Sequence, residues 1–165
     1  MGKRGRSGIF RQVEQWLNNR TQHRRYEHIF QGHTNMAARP RPAGSGFHHR
    51  FLGENPPGAR VRRDANGKEL ILETDVTGTY RARVDTLGPD GNWHQKKGSS
   101  TFFPDNWTPQ RVDESIEEAF RNGNPHPKEP GKWVGTANGL QIQGFYNESN
   151  PNFWYSAWPI IGEAR

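Results

Sequence analysis

The sequence predicts an α+β protein in which helices come first and short antiparallel strands follow, with one helix inserted among them. Three observations carry this. Ile9, Phe10, Val13, Trp16 and Leu17 recur at helical spacing. Val112, Ile116 and Phe120 do so again, four apart, behind Thr108-Pro109 and ahead of Asn122-Gly123. Elsewhere short apolar runs are separated by Asn-Gly and Pro-Asp-Gly turns, a hairpin signature.

The elements follow in order. Residues 1–8 (Met-Gly-Lys-Arg-Gly-Arg-Ser-Gly) read as a flexible basic arm, with Ser7 a cap for a helix starting near residue 9. Tyr26, Ile29 and Phe30 continue that helix or open a second. Residues 32–46 show no apolar period and carry Pro40, Pro42, Gly44 and Gly46, so they read as a loop. Asn66-Gly67 between 59–63 and 69–72 predicts a hairpin with a type I′ turn, which needs positive φ at both central residues. Residues 79–85 alternate as one strand. A turn at Pro89-Asp90-Gly91 leads to a short strand centred on Trp93. After the helix that starts at Pro109, residues 123–131 are loop. Strands over 132–136, 140–145 and 153–158 close the chain, the first two joined by Asn138-Gly139. Residues 9–165 form one domain, with a division into two small lobes near 88–98.

Composition bounds the function. Leu, Ile, Val and Phe make 28 of 165 residues, a thin apolar supply under the ~20% below which disorder is a concern. Six Trp and four Tyr argue against disorder, since each ring buries a large area. With no Cys, disulfides, thiolate metal sites and a Cys nucleophile are excluded. No apolar run approaches the ~20 residues of a membrane helix. The net charge of +6 sits in the first 25 residues, where seven basic side chains face Glu14 alone. A second basic stretch holds Arg39, Arg41, Arg50, Arg60, Arg62 and Arg63 against Glu54. This layout suits a polyanion on one side.

Seven His are the side chains that titrate near neutrality. There is no His-Glu-x-x-His pair for a metal and no Gly-x-Ser-x-Gly elbow for a serine nucleophile. Proton transfer by two imidazoles remains. Two histidines are enough to cut RNA without a metal: one takes the 2′-hydroxyl proton, the other protonates the departing 5′-oxygen.

Glu27-His28-Ile29-Phe30-Gln31-Gly32, followed twenty residues later by Gly46-Phe47-His48, resembles the EndoU endoribonuclease family. That family pairs a Glu-His-hydrophobic-x-x-Gly segment with a Gly-hydrophobic-His segment. Lys97 to Trp107 (Lys-Gly-Ser-Ser-Thr-Phe-Phe-Pro-Asp-Asn-Trp) and Lys132-Trp133-Val134-Gly135-Thr136 resemble its bacterial branch. Ser156-Ala157-Trp158-Pro159 resembles a family motif of Thr or Ser, any residue, an aromatic, then Pro. Together they span about 26–161 in register.

The resemblance implies an N-terminal helical part and two small antiparallel sheets facing across a cleft. It implies His48 as general base and His28 as general acid. Thr101 stands where many members carry a catalytic Lys, so either its hydroxyl serves the phosphate or a neighbouring Lys96 or Lys97 reaches in. Lys97, Ser100, Ser156 and Trp158 are expected on the substrate side, with Trp158 replacing the usual Tyr. Of His48 and His49, only one can face a site from a strand, and the motif spacing favours His48. Phe102 and Phe103 read as core, and His33 as loop surface. The implied activity is metal-independent cleavage of single-stranded RNA or tRNA to a 2′,3′-cyclic phosphate, with no cofactor. The implied setting is the toxin domain of an effector delivered by a producer bacterium to a target-cell cytoplasm, with a cognate immunity protein and no membrane partner. A non-catalytic RNA-binding module and a metal-dependent nuclease are the alternatives.

Overall fold

The computed structural model describes residues 23–161. The basic arm and the helix expected from residue 9 lie outside the described residues. The described chain opens with a short helix, α1 (His23–Tyr26), which widens into a π-helical turn over Glu27–Gln31. Strands β1 (His33–Asn35) and β2 (Ala43–Ser45) pair antiparallel, Thr34 opposite Gly44. Residues 32–46 are therefore a small hairpin and not the expected loop. Its strands are three residues long and carry almost no apolar side chains, which is why no periodicity announced them.

Next come β3 (Ala59–Val61), β4 (Ile71–Thr74), β5 (Tyr80–Ala82), β6 (Val84–Leu87), β7 (Trp93–Gln95) and β8 (Ser100–Phe102). They form two three-stranded sheets, β3-β6-β7 and β4-β5-β8. The run 79–85 is thus two strands, parting at Arg83 into different sheets. The turn at 66–67 also differs from expectation. Gly67 has φ +80, but Asn66 is not left-handed, so the turn is not type I′. Asp64 organises it instead, its carboxylate accepting from the amides of Asn66 and Lys68. Arg63 bridges Glu69, and β3 and β4 then diverge.

Helix α2 (Pro109–Asn122) begins as read, with the Thr108 hydroxyl accepting from the Arg111 amide at 3.1 Å. It buries Val112, Ser115, Ile116 and Ala119. It packs on β10 (Lys132–Ala137) of a four-stranded sheet ordered β12-β11-β10-β9, with β9 Asn124–Pro125, β11 Leu140–Tyr146 and β12 Trp154–Ile160. A Cβ on Gly135 would lie 1.9 Å from the Ala119 carbonyl oxygen, so this glycine sets how closely helix and sheet approach. The type I′ turn occurs here, between β10 and β11, with Asn138 at φ +50 and Gly139 at φ +80.

The described residues thus make four small antiparallel sheets where two were expected. Two apolar cores underlie them. One joins Ile29, Phe30, Phe103, Ile116, Trp133 and Trp154. The other joins Phe47, Val61, Tyr80, Val84 and Phe102. The chain crosses from one core to the other between Phe102 and Phe103. As composition required, rings supply most of the buried volume in both. No helix among the described residues is long and apolar enough to cross a membrane.

Candidate active site

The site begins with a backbone junction. Gly32, at φ +65, closes the π turn by donating to the Glu27 carbonyl at 2.8 Å. Ile29 and Phe30 enter the core, which leaves His28 on the opposite side. The chain returns at Gly46-Phe47-His48. The Phe47 amide donates to the His28 carbonyl, and the His48 amide to the Ile29 carbonyl, each at 2.7 Å. Such contact needs a bare backbone: a Cβ on Gly46 would sit 2.3 Å from the His28 carbonyl oxygen. Gly46 has φ +80, and Phe47 itself has φ +73, an uncommon state for a side-chain-bearing residue. Burial of the Phe47 ring, edge-on to Phe102 at 4.9 Å, offsets that strain.

The result is a pair of imidazoles. The rings of His28 and His48 lie 5.7 Å apart at a shared cleft of about 430 Å³. The His48 Nδ1 donates to the Thr101 carbonyl at 2.9 Å. A carbonyl only accepts, so Nδ1 carries the proton and Nε2 keeps its lone pair. His49 turns away and is buried, its Nε2 donating to the Trp107 carbonyl at 2.9 Å. This is the divergence of neighbours expected of extended chain.

Electrostatics in the cleft disfavour positive charge on the rings. Burial, then His33 and Lys96, pull the His28 pKa down to about 4. Burial, then Lys96 and His28, hold His48 well below the usual imidazole range, against an upward pull from its bond to Thr101. Lys96 donates to the Ser100 hydroxyl at 2.8 Å and the Gly46 carbonyl at 3.2 Å, and burial lowers it to about 8. The Thr101 Oγ1 is buried without a hydrogen-bond partner among the described residues, an orphan hydroxyl at the cleft.

Strand β12 forms the facing wall. Ser156 and Trp158 line it, two apart on one face. Trp158 stacks on His48, ring centres 5.9 Å apart at 27°. The Ser156 hydroxyl accepts weakly from the Phe145 amide at 3.4 Å. A β-bulge adds Tyr155: Phe145 pairs with Ser156 and Tyr146 with Trp154, so Tyr155 has no cross-strand partner. It lines the cleft beside Ser156, its ring 6.2 Å from that of His28. Phe145 and Tyr155 are 42% and 45% exposed at the cleft, with the Lys132 ammonium 5.2 Å from the Phe145 ring centre.

A model of bacterial EndoU nucleases matches residues 22–160. The chain belongs to the bacterial EndoU nuclease family. It is also 36% identical over 96 residues to a protein named "Toxin" from Bacillus cereus. That match covers 58% of this chain and 15% of the relative, so the chain spans a small part of the relative's length. No solved structure matches it.

Of the residues singled out from the sequence, this EndoU chain brings His28, His48, Thr101, Ser156 and Trp158 to one cleft. Two others do not line it. Lys97 is exposed and donates to the Arg39 carbonyl at 2.7 Å. Ser100 is buried behind the wall, donating to the Phe47 carbonyl at 2.8 Å. The reason is strand alternation: on β8, Ser100 and Phe102 face the core while Thr101 faces the cleft. Lys96 takes the position in the cleft that Lys97 was expected to hold. His33 is exposed, as expected, but it opens β1 and is not in a loop, and its ring lies 5.6 Å from that of His28. Tyr155 and Phe145 were missed. Among the described residues, no group of three or more His, Asp or Glu is placed to hold a metal ion.

Proposed function

We propose that the chain is a metal-independent endoribonuclease that cuts single-stranded RNA or an exposed tRNA loop. The 2′-hydroxyl attacks the adjacent phosphorus, and the P–O5′ bond breaks to leave a 2′,3′-cyclic phosphate and a 5′-hydroxyl. The observation that carries this reading is the pair of imidazoles 5.7 Å apart, a spacing that lets them work from two sides of one phosphate. His48, with Nε2 unprotonated, takes the 2′-hydroxyl proton. His28 donates to the 5′-oxygen. An arriving phosphate anion opposes the burial and the cationic neighbours that keep His28 neutral, so binding charges the acid. Lys96 supplies the cation for the phosphorane, and Thr101 the neutral hydrogen bond. Trp158, Phe145 and Tyr155 offer faces for unstacked bases.

The relative named "Toxin" supports a setting for that chemistry. The chain acts as the toxic portion of a longer bacterial protein, delivered into the cytoplasm of a target cell. A cognate immunity protein with an acidic surface covers the basic cleft in the producer.

The test is digestion of total RNA with mapping of the new ends. Fresh 5′-hydroxyl and 2′,3′-cyclic phosphate ends, undiminished by EDTA, are expected. His48→Ala and His28→Ala should each lower the rate about 10²–10⁴-fold while RNA binding persists. RNA that is bound but never cut would make the chain a binding module. Complete loss of cleavage in EDTA would make it a metal nuclease.

A further inference from the structure

The first hairpin extends away from the acid side of the cleft. His33 and Ser45 pair at its root. Ser45 lines the cleft, and the His33 ring stands against His28. Asn35 and Ala43 pair at the far end, so residues 36–42 form the tip, with Arg39 and Arg41 both exposed. From Ser45 to Arg41 is four residues, about 13 Å at strand rise. That reach is too long for the scissile phosphate and suits its neighbours. The hairpin is held firmly: the Thr34 and Thr86 hydroxyls bond at 2.6 Å, Gly44 bridges Lys96, and Lys97 donates to the Arg39 carbonyl.

Among the described residues its charge is uncompensated. No Asp or Glu occurs between Glu27 and Glu54, nor between Asp90 and Asp105, the two segments that build this side. Arg50, Arg60, Arg62 and Arg81 each pair with a carboxylate. Among the described residues, no ion pair engages Arg39, Arg41 or Lys97. The Arg39 guanidinium donates through Nη1 to the Ala37 and Ala38 carbonyls, which leaves donors on its other nitrogens.

We propose that this hairpin, with Arg39, Arg41 and the docked Lys97, clamps the RNA backbone on the 3′ side of the cut. The polarity rests on the cleavage reading above. His28 protonates the leaving 5′-oxygen, so the 3′ strand passes the hairpin root, while Trp158 beside His48 takes the 5′ nucleoside.

The experiment compares the full chain with its R39Q/R41Q/K97Q variant. The probes are DNA oligonucleotides holding one ribonucleotide, the single cleavable position, extended either 5′ or 3′ of it. Neutralising three phosphate contacts should cost about tenfold in kcat/KM on the 3′-extended probe, and at least fivefold more than on the 5′-extended one. The slope of log affinity against log salt should fall by about 2 for the 3′-extended probe. Equal losses on both probes, a larger loss on the 5′-extended one, or no loss overturns the proposal. All-deoxy oligonucleotides of the same lengths report backbone affinity as Kd without cleavage, and carry no mark of side. If the wild type cuts neither probe but the variant binds these strands more weakly and with a shallower salt slope, the cleavage reading and the 3′ polarity fail while the hairpin's grip on the backbone stands. If the variant binds them as the wild type does, the grip fails too.

Discussion

Replacing Lys96 by Met is expected to lower kcat/KM for RNA cleavage about 10²–10³-fold at pH 7, the usual cost of removing a donor aimed at developing charge. Lys96 supplies the one ammonium among the described residues that line the cleft. Met has similar length and leaves the fold its bonds: the Ser100 hydroxyl still donates to the Phe47 carbonyl and reaches the Gly46 carbonyl. Burial brings Lys96 to about 8, so about ten ammonium forms stand against one amine at pH 7. At pH 9 the proportion reverses. Because kcat/KM reports the free enzyme's ionisations, the ratio of wild type to variant should fall about tenfold between pH 7 and pH 9. One opposing effect is built in: removing Lys96 relieves His28, which it holds down, and raises the protonated fraction of the acid. The assay is a quenched fluorescent RNA oligonucleotide at pH 7, 8 and 9, with thermal melts of both proteins. A loss below threefold at pH 7, or a large loss that does not change with pH, would refute the role of the charge.

The acid gives the wild type its own signature. His28 must carry a proton and sits near 4, so its charged fraction falls tenfold for each unit of rising pH. Burial holds His48 well below the usual imidazole range, so above about pH 6.5 the base is not limiting; log kcat/KM should fall with slope about −1 from there to pH 8 and about −2 above 8 as Lys96 discharges, and a flat or rising profile contradicts the assignment. Gly46→Ala should cost more than about 2 kcal/mol in denaturant unfolding and abolish cleavage, because it adds a Cβ at φ +80 against the His28 carbonyl; a stable, active variant would show that the junction is slack. Tyr155→Ala should lower kcat/KM about ten- to a hundredfold, the worth of one stacked base, with Tyr155→Phe near wild type and melting unchanged. Equal losses in Ala and Phe would assign the role to the hydroxyl.

What was legible in the sequence depended on whether a local rule decided the geometry. Thr108-Pro109 fixed the start of α2 because a cap and a ring-locked φ act within four residues. His48 and His49 were separable because adjacent extended residues face apart. Asn66-Gly67 and Asn138-Gly139 carry the same dipeptide, yet only the second forms a type I′ turn. At the first, the Asp64 carboxylate captured the turn amides, a competition that the dipeptide alone does not show. The exchange of Lys97 for Lys96 was within reach, since alternation from Trp93 onward turns Lys96 inward with His94. Tyr155 was not: the alternation that puts Ser156 and Trp158 on one face is broken by a bulge just before Ser156, and nothing in Trp-Tyr-Ser-Ala-Trp marks where the extra residue falls.

The cleft lies at the seam between two cores, and that location has consequences for catalysis. His28 is carried by Ile29 and Phe30, which belong to one core. His48 follows Phe47, which belongs to the other. Thr101, whose carbonyl orients His48, precedes Phe102 and Phe103, one ring in each core. The distance between the imidazoles is therefore set by how the cores meet, and the two 2.7 Å bonds across Gly46-Phe47 and His28-Ile29 are the rivets. A truncation in either core, such as Ile116→Ala or Val61→Ala, removes apolar packing at a residue that does not line the cleft. Where it shifts the seam by even 1 Å, it costs rate out of proportion to its effect on melting, because misplaced reacting groups lose about 10²-fold. A truncation that lowers stability by the same amount at an edge remote from the seam should leave the rate of the folded fraction intact. Measuring kcat at temperatures well below both melting transitions separates the two cases. Equal kcat for seam and edge variants of matched stability would show that the cores do not set the geometry.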